Sequence, residues 1–472
     1  MKIHLHTIGC RLNQAEIETM ARQFQAGGHD IVGDAAEADT IIFNTCAVTA
    51  EAARDARHLT RRFNRANGSA QIVLTGCYAT LAPEVAAALP GVGRVVGNDD
   101  KARLPLLLDP TLALVADGDV PAERLYEVEP IAREAQPGSF GRTRGFVKVQ
   151  DGCDNRCTFC VTTVARGAGR SRPLADVGAE VGRFTAAGYG EVVLPGVHLG
   201  SYGRDLGRPA GLRELVAALL ANTDIPRVRL SSLEPWEIAS GFFELWANPR
   251  LMPHLHLPLQ SGSDRVLRRM ARRTSRAEFR ALVDEARACI PDLSVSTDII
   301  GGFPGETEAE FAETLEYAAA LDFSRIHAFS YSPRPGTAAA RMPGQLPGPV
   351  RRERTGQLIA LGEQLSLAFH QQYEGETRPV LWETVTGANP DGLLWSGYTD
   401  NYIRVTAVGP SDLMRRVTMV RLGEARAEGM DGVIVPLSGN GYRLDQLLDQ
   451  ITAKVVHKEI DWGVAIGRED ES

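Results

Sequence analysis

Cysteine is scarce in this chain, with seven residues in 472, and aromatic side chains make up only 6%. Positive charge is not in excess either: 51 basic residues face 59 acidic ones, a net charge of −8. That balance argues against a protein that coats nucleic acid through bulk charge, while leaving room for a local basic face that meets phosphates. No segment approaches the ~20 consecutive apolar residues of a membrane helix. The opening residues, MKIHLHTIGC, lack a basic segment followed by an apolar run, so neither a secretory signal nor membrane association is expected. A cytoplasmic location follows as the expectation. Disulfides are rare there, and grouped cysteines more often bind metal or do chemistry.

What is present reads as an ordinary globular chain, 44% hydrophobic and 23% charged, long enough for about three domains at roughly 100–200 residues each. Residues 1–117 alternate apolar strands (KIHLHTIGC, ADTIIFNTC, AQIVLTGC) with helical stretches, the pattern of βαβ units and an open parallel sheet. Residues 118–143 are polar with scattered proline and glycine and read as a linker. A second alternating series over 144–373 offers six strand candidates: FVKVQ, EVVLPG, RVRLSS, LHLPLQ, SVSTDIIGG and RIHAFSYS. Six units are too few to close an eight-stranded barrel, so a partial (β/α)6 barrel is expected, its chemistry at the C-terminal strand ends. Over 374–437 the texture turns to β with turn residues between strands, as in a small all-β barrel. Residues 438–472 read as a polar tail.

Six of the seven cysteines fall into two triplets. Cys153, Cys157 and Cys160 form C-x3-C-x2-C in VKVQDGCDNRCTFC, directly after the first strand of the second series. A disulfide uses two thiols. Zinc usually uses paired groups whose second half has no match nearby, which leaves a structural zinc site with a distant fourth ligand as the plain alternative. Iron–sulfur clusters usually take four cysteines. Three thiolates would hold a four-iron cluster and leave one iron open to chelate something else. Cys10, Cys46 and Cys77 are far apart in sequence, yet each ends a predicted parallel strand, which brings them to one edge of the sheet. Each follows a Gly or Thr, small enough to let a bulky ligand approach. A second cluster is favoured over three unrelated buried thiols. Cys289, on a helix without a partner, is expected in the core.

These residues resemble the radical S-adenosylmethionine superfamily, through the C-x3-C-x2-C loop with Phe159 before its last cysteine. With the N-terminal triplet and a TRAM-like β-barrel at the end, the resemblance narrows to the methylthiotransferases and covers roughly residues 1–437. TIGCRLNQAEIE, QDGCDNRCTFC and GYTDNYIRV are most similar to the members that act on N6-threonylcarbamoyladenosine at position 37, next to the tRNA anticodon. Members acting on isopentenyladenosine, or on a ribosomal-protein aspartate, are the alternatives within the family. A non-catalytic iron–sulfur RNA-binding protein is the alternative outside it. One departure is Ala271, which follows Met270 where relatives usually carry Asn.

The resemblance implies two [4Fe-4S] clusters and S-adenosyl-L-methionine as cofactors. Its amino and carboxylate groups would chelate the open iron at Cys153/Cys157/Cys160. Reductive cleavage would then give a radical that abstracts hydrogen from adenine C2, with sulfur delivered at Cys10/Cys46/Cys77. A tRNA, an electron donor such as flavodoxin or ferredoxin, and a sulfur source are the implied partners. Strand-end motifs supply cofactor-binding candidates: Gly196 in PGVHLGSYG, Ser231 and Glu234 in LSSLEP, Gln260 in LPLQSGSD, and Gly302 and Gly305 in IIGGFPGET. For the RNA, Arg166, Arg170 and Arg172 beside the cysteine loop are candidates for phosphate contacts, as is the Arg-rich stretch 265–276. Tyr398 and Tyr402, with Trp395, are candidates for gripping the anticodon arm. His198, His254 and His256 are read as structural, the last two taken to face opposite sides of a strand.

Overall fold

Five short apolar runs at the N-terminus pair in parallel. They are β1 (Lys2–Thr7), β2 (Asp30–Val32), β3 (Thr40–Thr45), β4 (Gln71–Gly76) and β5 (Val92–Val96), in the order β2-β1-β3-β4-β5. The coordinates are a computed structural model that describes residues 1–114, 143–208 and 211–435. The central strands are buried on both faces, as a parallel sheet covered by crossovers requires. Helix α1 (Arg11–Ala26) turns Leu12, Ile17, Met20 and Phe24 inward, and α2 (Ala50–Ala66) starts where Thr49 Oγ1 accepts from Ala52 N at 3.1 Å. Helix α3 (Cys77–Leu81) follows β4 directly. The edge strands β2 and β5 escape the sequence reading because they are short and half-exposed.

The second sheet assembles from β6 (Arg144–Phe146), β9 (Glu191–Leu194), β10 (Val228–Leu230), β11 (His254–His256), β12 (Ser294–Gly301) and β13 (Arg325–Ser330). Strands β6, β9 and β10 form one parallel group and β11, β12 and β13 another, joined by the parallel bridge Ser232–His256. That is the expected six-stranded, partial barrel. Between β6 and β9, the short ribbon β7 (Gln150–Asp151) and β8 (Arg170–Ser171) clamps both ends of the cysteine loop. The core beneath packs Val192, Leu194, Leu230 and Leu255 against helix residues such as Val177, Val181, Phe184, Phe279 and Val283.

Two local expectations change here. Cys289 is exposed, not core. The inward stripe of helix Arg276–Cys289 runs Phe279, Val283, Ala286 and continues to Ile290, which takes the place Cys289 would need. Ala271 sits just past helix Asp264–Arg269 with φ 54°, its N–H on Arg268 O and the Arg272 N–H on Leu267 O. That is a Schellman end, a position that favours glycine or asparagine, so alanine there has a physical cost. Ala271→Gly is expected to raise stability by about 1 kcal/mol, read as a higher denaturant midpoint with an unchanged slope. A lower midpoint would contradict the left-handed geometry.

The C-terminal strands are β14 (Thr377–Asn389), β15 (Gly392–Thr399), β16 (Arg404–Gly409), β17 (Val417–Arg426) and β18 (Gly429–Ile434). They close as a barrel in the order β14-β15-β16-β18-β17. Its core holds Trp382, Trp395, Val405 and Val420. Trp395 is 1% exposed and donates from Nε1 to Pro410 O at 2.8 Å, so it packs the barrel rather than meeting RNA. The linker and tail assigned to 118–143 and 438–472 lie essentially outside the described residues. Among the described residues no helix is long and apolar enough to cross a membrane.

Candidate functional site

Strands β1, β3 and β4 are immediate neighbours, and parallel strands lie about 4.8 Å apart. Their C-terminal ends therefore carry Cys10, Cys46 and Cys77 to one edge, at the point where the strand order reverses and open α/β sheets bind ligands. Cys10 is the N-cap of α1, with no side-chain cap bond. Burial, reinforced by Cys10 and Cys77, pushes the free Cys46 thiol up to about 11. The neighbouring glycines serve the protein rather than a ligand. A Cβ on Gly9 would stand 2.8 Å from Cys46 Sγ, and one on Gly76 (φ 93°) 2.3 Å from Thr45 O.

The second triplet rides on a loop bonded at several points. Gly152 (φ 71°) leads into it where a Cβ would stand 1.9 Å from Ala168 O. Cys153 N donates to Gly167 O (3.0 Å), Thr158 N to Met270 O (3.0 Å), and Ala339 N to Thr158 O (2.9 Å). Backbone N–H groups of Asn155 and Thr162 point at Cys153 Sγ and Cys160 Sγ, each at 3.4 Å. Burial raises the free Cys153 thiol to about 12 and also raises Cys157. Left alone, these thiols stay protonated at neutral pH; a bound metal would take them as thiolates.

Among the described residues no three His, Cys, Asp or Glu side chains close tightly enough to hold a single metal ion. Within each triplet the thiols act on one another, Cys10 and Cys77 on Cys46, and Cys157 and Cys160 on Cys153, the proximity that the ligands of one cluster share. Cations stand where such an anionic group would need them. Arg166 and Lys101 act on Cys77, Arg334 on Cys46, and Arg272 Nη1 lies 3.9 Å from Cys157 Sγ. Among the described residues the buried Arg334 Nη2 has no hydrogen-bond partner. The two donor sets thus fit the iron–sulfur groups that the family resemblance implies.

A cavity of about 800 Å³ runs from the first triplet along the ends of the second sheet to the β-barrel. Cys10, Cys46 and Cys77 line it together with Gly196, Ser231, Arg166, Tyr398 and Tyr402. The other sequence candidates lie outside its lining. Glu234 stands by the second triplet, where Arg272 pairs with it at 2.7 Å, and its charge acts on Cys153 and Cys157. Phe159 packs on Val266, Met270, Phe303 and Tyr331. Gln260 (φ 74°) bridges to β12, and Gly302 and Gly305 shape the turn after it.

The basic candidates divide. Arg166 is buried between Glu16 and Asp151, both at 2.9 Å, which withdraws it from any phosphate. Arg172 is held by Glu180, whereas Arg170 is about half exposed. From the Arg-rich stretch, Arg269 is taken by Glu310 and Arg272 by Glu234. Tyr398 and Tyr402 stack on each other inside the cavity, centroids 4.7 Å apart, rather than on an outer face.

Several lining residues were missed. His254 and His256 both face the cavity and both reach Ser296 Oγ, at 3.1 and 2.9 Å. The strand pleat repeats every two residues, so side chains two apart share a face; reading them as opposed was an error. His327 and Asp298 complete that group, with Asp298 3.3 Å from His256 Nε2. Arg11 lines the cavity next to Cys10, and its adjacency in TIGCRLNQ was the available signal. His198 is buried against Asn155 and Glu237.

Comparison with known proteins agrees with this geometry. Residues 2–97 match the family described as Uncharacterized protein family UPF0004, and residues 147–318 match the Radical SAM superfamily. A threonylcarbamoyladenosine tRNA methylthiotransferase MtaB of Thermotoga maritima is 39% identical over 86% of this chain and 91% of its own length. Its Bacillus subtilis namesake is 35% identical over 90% and 94%. A tRNA-2-methylthio-N(6)-dimethylallyladenosine synthase of Novosphingobium aromaticivorans is 36% identical over 90% and 96%. Among solved structures, the radical S-adenosylmethionine methyltransferase TsrM of Kitasatospora setae shares the fold, with TM-score 0.51, 15% identity, and coverage of 72% of this chain and 75% of its own. With two cysteine triplets on two parallel sheets and relatives of this identity along most of its length, the chain belongs to the radical SAM methylthiotransferases, a family of transferases.

Proposed function

We propose that this protein adds a methylthio group to C2 of N6-threonylcarbamoyladenosine beside the tRNA anticodon. The observation that carries the reading is the shared cavity: the first cysteine triplet opens onto the same space as the strand ends of the second sheet. Its volume suits a nucleoside-sized ligand. The relatives include enzymes named for both modified adenosines, so their identities do not choose between them. The lining does favour one. Arg11, Arg325, Arg404, Asp298 and four histidines surround the space, an environment that suits a polar, acidic substituent better than a branched hydrocarbon.

In this reading Cys153, Cys157 and Cys160 hold one four-iron cluster and Cys10, Cys46 and Cys77 the other. Bound there, the clusters supply the electron that cleaves S-adenosylmethionine and the sulfur that is transferred. The chain's own residues bind and orient. Gly196 and Ser231 line the cavity together, with Ser231 Oγ accepting from the Gly196 N–H at 3.3 Å. Glu234, steadied by Arg272, is placed to receive an ammonium group. The β-barrel, TRAM-like in this proposal, and the exposed Arg170 would meet the anticodon arm. Residues 1–117, 144–373 and 374–437 are then the sulfur-donor, radical and RNA-gripping portions of a cytoplasmic enzyme served by a flavodoxin- or ferredoxin-type reductant.

The test incubates anaerobically reconstituted, reduced protein with S-adenosylmethionine and tRNA carrying either threonylcarbamoyladenosine or isopentenyladenosine. Nucleoside mass spectrometry is expected to find an added methylthio group in the first tRNA. Product from the second alone would refute the substrate assignment.

A further inference from the structure

The most charged part of the cavity wall is built around one phenol. Tyr402 Oη accepts from Arg11 Nη2 at 2.5 Å and from Arg144 Nη1 at 3.0 Å, and among the described residues it meets no acceptor for its own proton. Its ring lies 4.4 Å from the Arg229 guanidinium and 4.6 Å from His254. Tyr402 holds this place at φ 72°, an uncommon and costly backbone for a non-glycine residue.

The charges around it do not cancel. Arg229 and Arg227 share Glu191 (2.9 and 3.1 Å), and Arg144 takes Glu383 at 2.5 Å. Asp400, which also acts on Arg227, is engaged by both ends of Arg378. Arg11 is left with the phenol, and among the described residues no carboxylate pairs with it. Among the described residues the buried nitrogens Arg227 Nη1 and Arg229 Nη1 also lack partners. Burial works to raise the Tyr402 hydroxyl, yet Arg144, Arg11 and Arg229 bring it down to about 8, the sign of a field that favours a negative charge. Burial, helped by Arg229 and Arg11, keeps His254 neutral.

We propose that Arg11, backed by Tyr402, binds the carboxylate of the substrate's N6-threonylcarbamoyl group and so selects that substrate; the inference rests on the function proposed above. Arg11 follows Cys10 directly and shares its cavity. C2 and C6 of adenine flank the same ring nitrogen, so an adenine presenting C2 to the thiols carries its N6 substituent along the wall beside them. A carboxylate there gains a fork of guanidinium N–H donors and the α1 N-terminus, while an isopentenyl group would leave the Arg11 cation facing hydrocarbon.

The test measures binding to the reconstituted enzyme of an anticodon stem-loop carrying threonylcarbamoyladenosine, and of the same stem-loop with the threonyl carboxylate as its methyl ester. Wild type is expected to bind the ester about 10- to 100-fold more weakly, the range for a charge-assisted hydrogen bond. Arg11→Gln should bind both alike, at the ester's level, and Arg11→Lys should recover part of the preference. Iron content and circular dichroism matching wild type establish that the variants fold. An undiminished preference in Arg11→Gln would overturn the assignment, and so would equal weakening of both ligands, which marks an RNA phosphate contact instead. Wild type that binds with the expected preference but modifies only isopentenyladenosine tRNA would refute the proposed function. Wild type that modifies threonylcarbamoyladenosine tRNA without preferring the free carboxylate would refute this inference alone.

Discussion

Cys157→Ser is expected to lose about half of the reconstituted iron and to stop forming 5′-deoxyadenosine from S-adenosylmethionine, while Cys46→Ser loses a similar share and still forms it. The two variants separate because their thiols serve different places. Cys157 lies in the loop with Arg272 and Glu234, beside the strand ends where S-adenosylmethionine is proposed to bind. Cys46 ends β3 on the other sheet, lining the cavity with Cys10 and Cys77. A serine hydroxyl is a poor replacement for a thiolate toward iron, and three thiols leave no spare. Cys46→Ser should therefore make no methylthio product, but continue to consume S-adenosylmethionine at a rate within a few-fold of wild type. Iron analysis, quantified 5′-deoxyadenosine and nucleoside mass spectrometry read the three effects separately. If Cys46→Ser also abolished 5′-deoxyadenosine, the division of labour between the triplets would be wrong.

The placement of the two triplets was legible in the sequence because it depends on local pattern. Apolar runs at βα spacing gave six strands for the second sheet, and a cysteine at the end of each of three parallel N-terminal strands could lead only to one sheet edge. What escaped depends on contacts between distant parts of the chain. Arg11 and Tyr402 are 391 positions apart, and nothing in either neighbourhood announces the other. Arg166 looked like a free cation beside a loop, yet whether an arginine meets phosphate or a buried carboxylate is decided by Glu16, from a helix 150 positions earlier. His254 and His256 were readable in principle, since two-residue spacing alone places them on one face. The stretches TIGCRLNQ and GYTDNYIRV, far apart in sequence, touch through Arg11 and Tyr402.

Glu16 joins the two cysteine systems. From α1, it accepts Lys101 Nζ at 2.6 Å, Lys148 Nζ at 2.8 Å and Arg166 Nη1 at 2.9 Å, and Arg166 also reaches Asp151 at 2.9 Å and Asn13 at 2.6 Å. Helix α1 begins just after Cys10, Asp151 stands two residues before Cys153, and Arg166 closes the short helix that follows Cys160. One carboxylate, with its side chain 6% exposed, therefore fixes both loops relative to each other. Glu16→Gln leaves Lys148 and Arg166 with Asp151 and takes from the buried Lys101 the carboxylate it pairs with, and uncompensated buried charge costs about 3–5 kcal/mol. The variant should lose stability on that scale and bind less iron at both triplets. Adding Lys101→Met removes the cation most dependent on Glu16 and should restore part of the stability, a coupling that a double-mutant cycle measures. The acid dependence has a definite sign. Burial works to raise the Glu16 carboxyl, but Lys101, Arg166 and Lys148 hold it well below its ordinary range. Its contribution is complete above the unfolded value of about 4.3 and is lost as pH falls from there through the depressed folded value. The gap in denaturant midpoint between wild type and Glu16→Gln should be full at neutral pH and narrow only in acid. A gap that widened on acidification, or additive effects of Glu16→Gln and Lys101→Met, would rule out this carboxylate as the tie between the two loops.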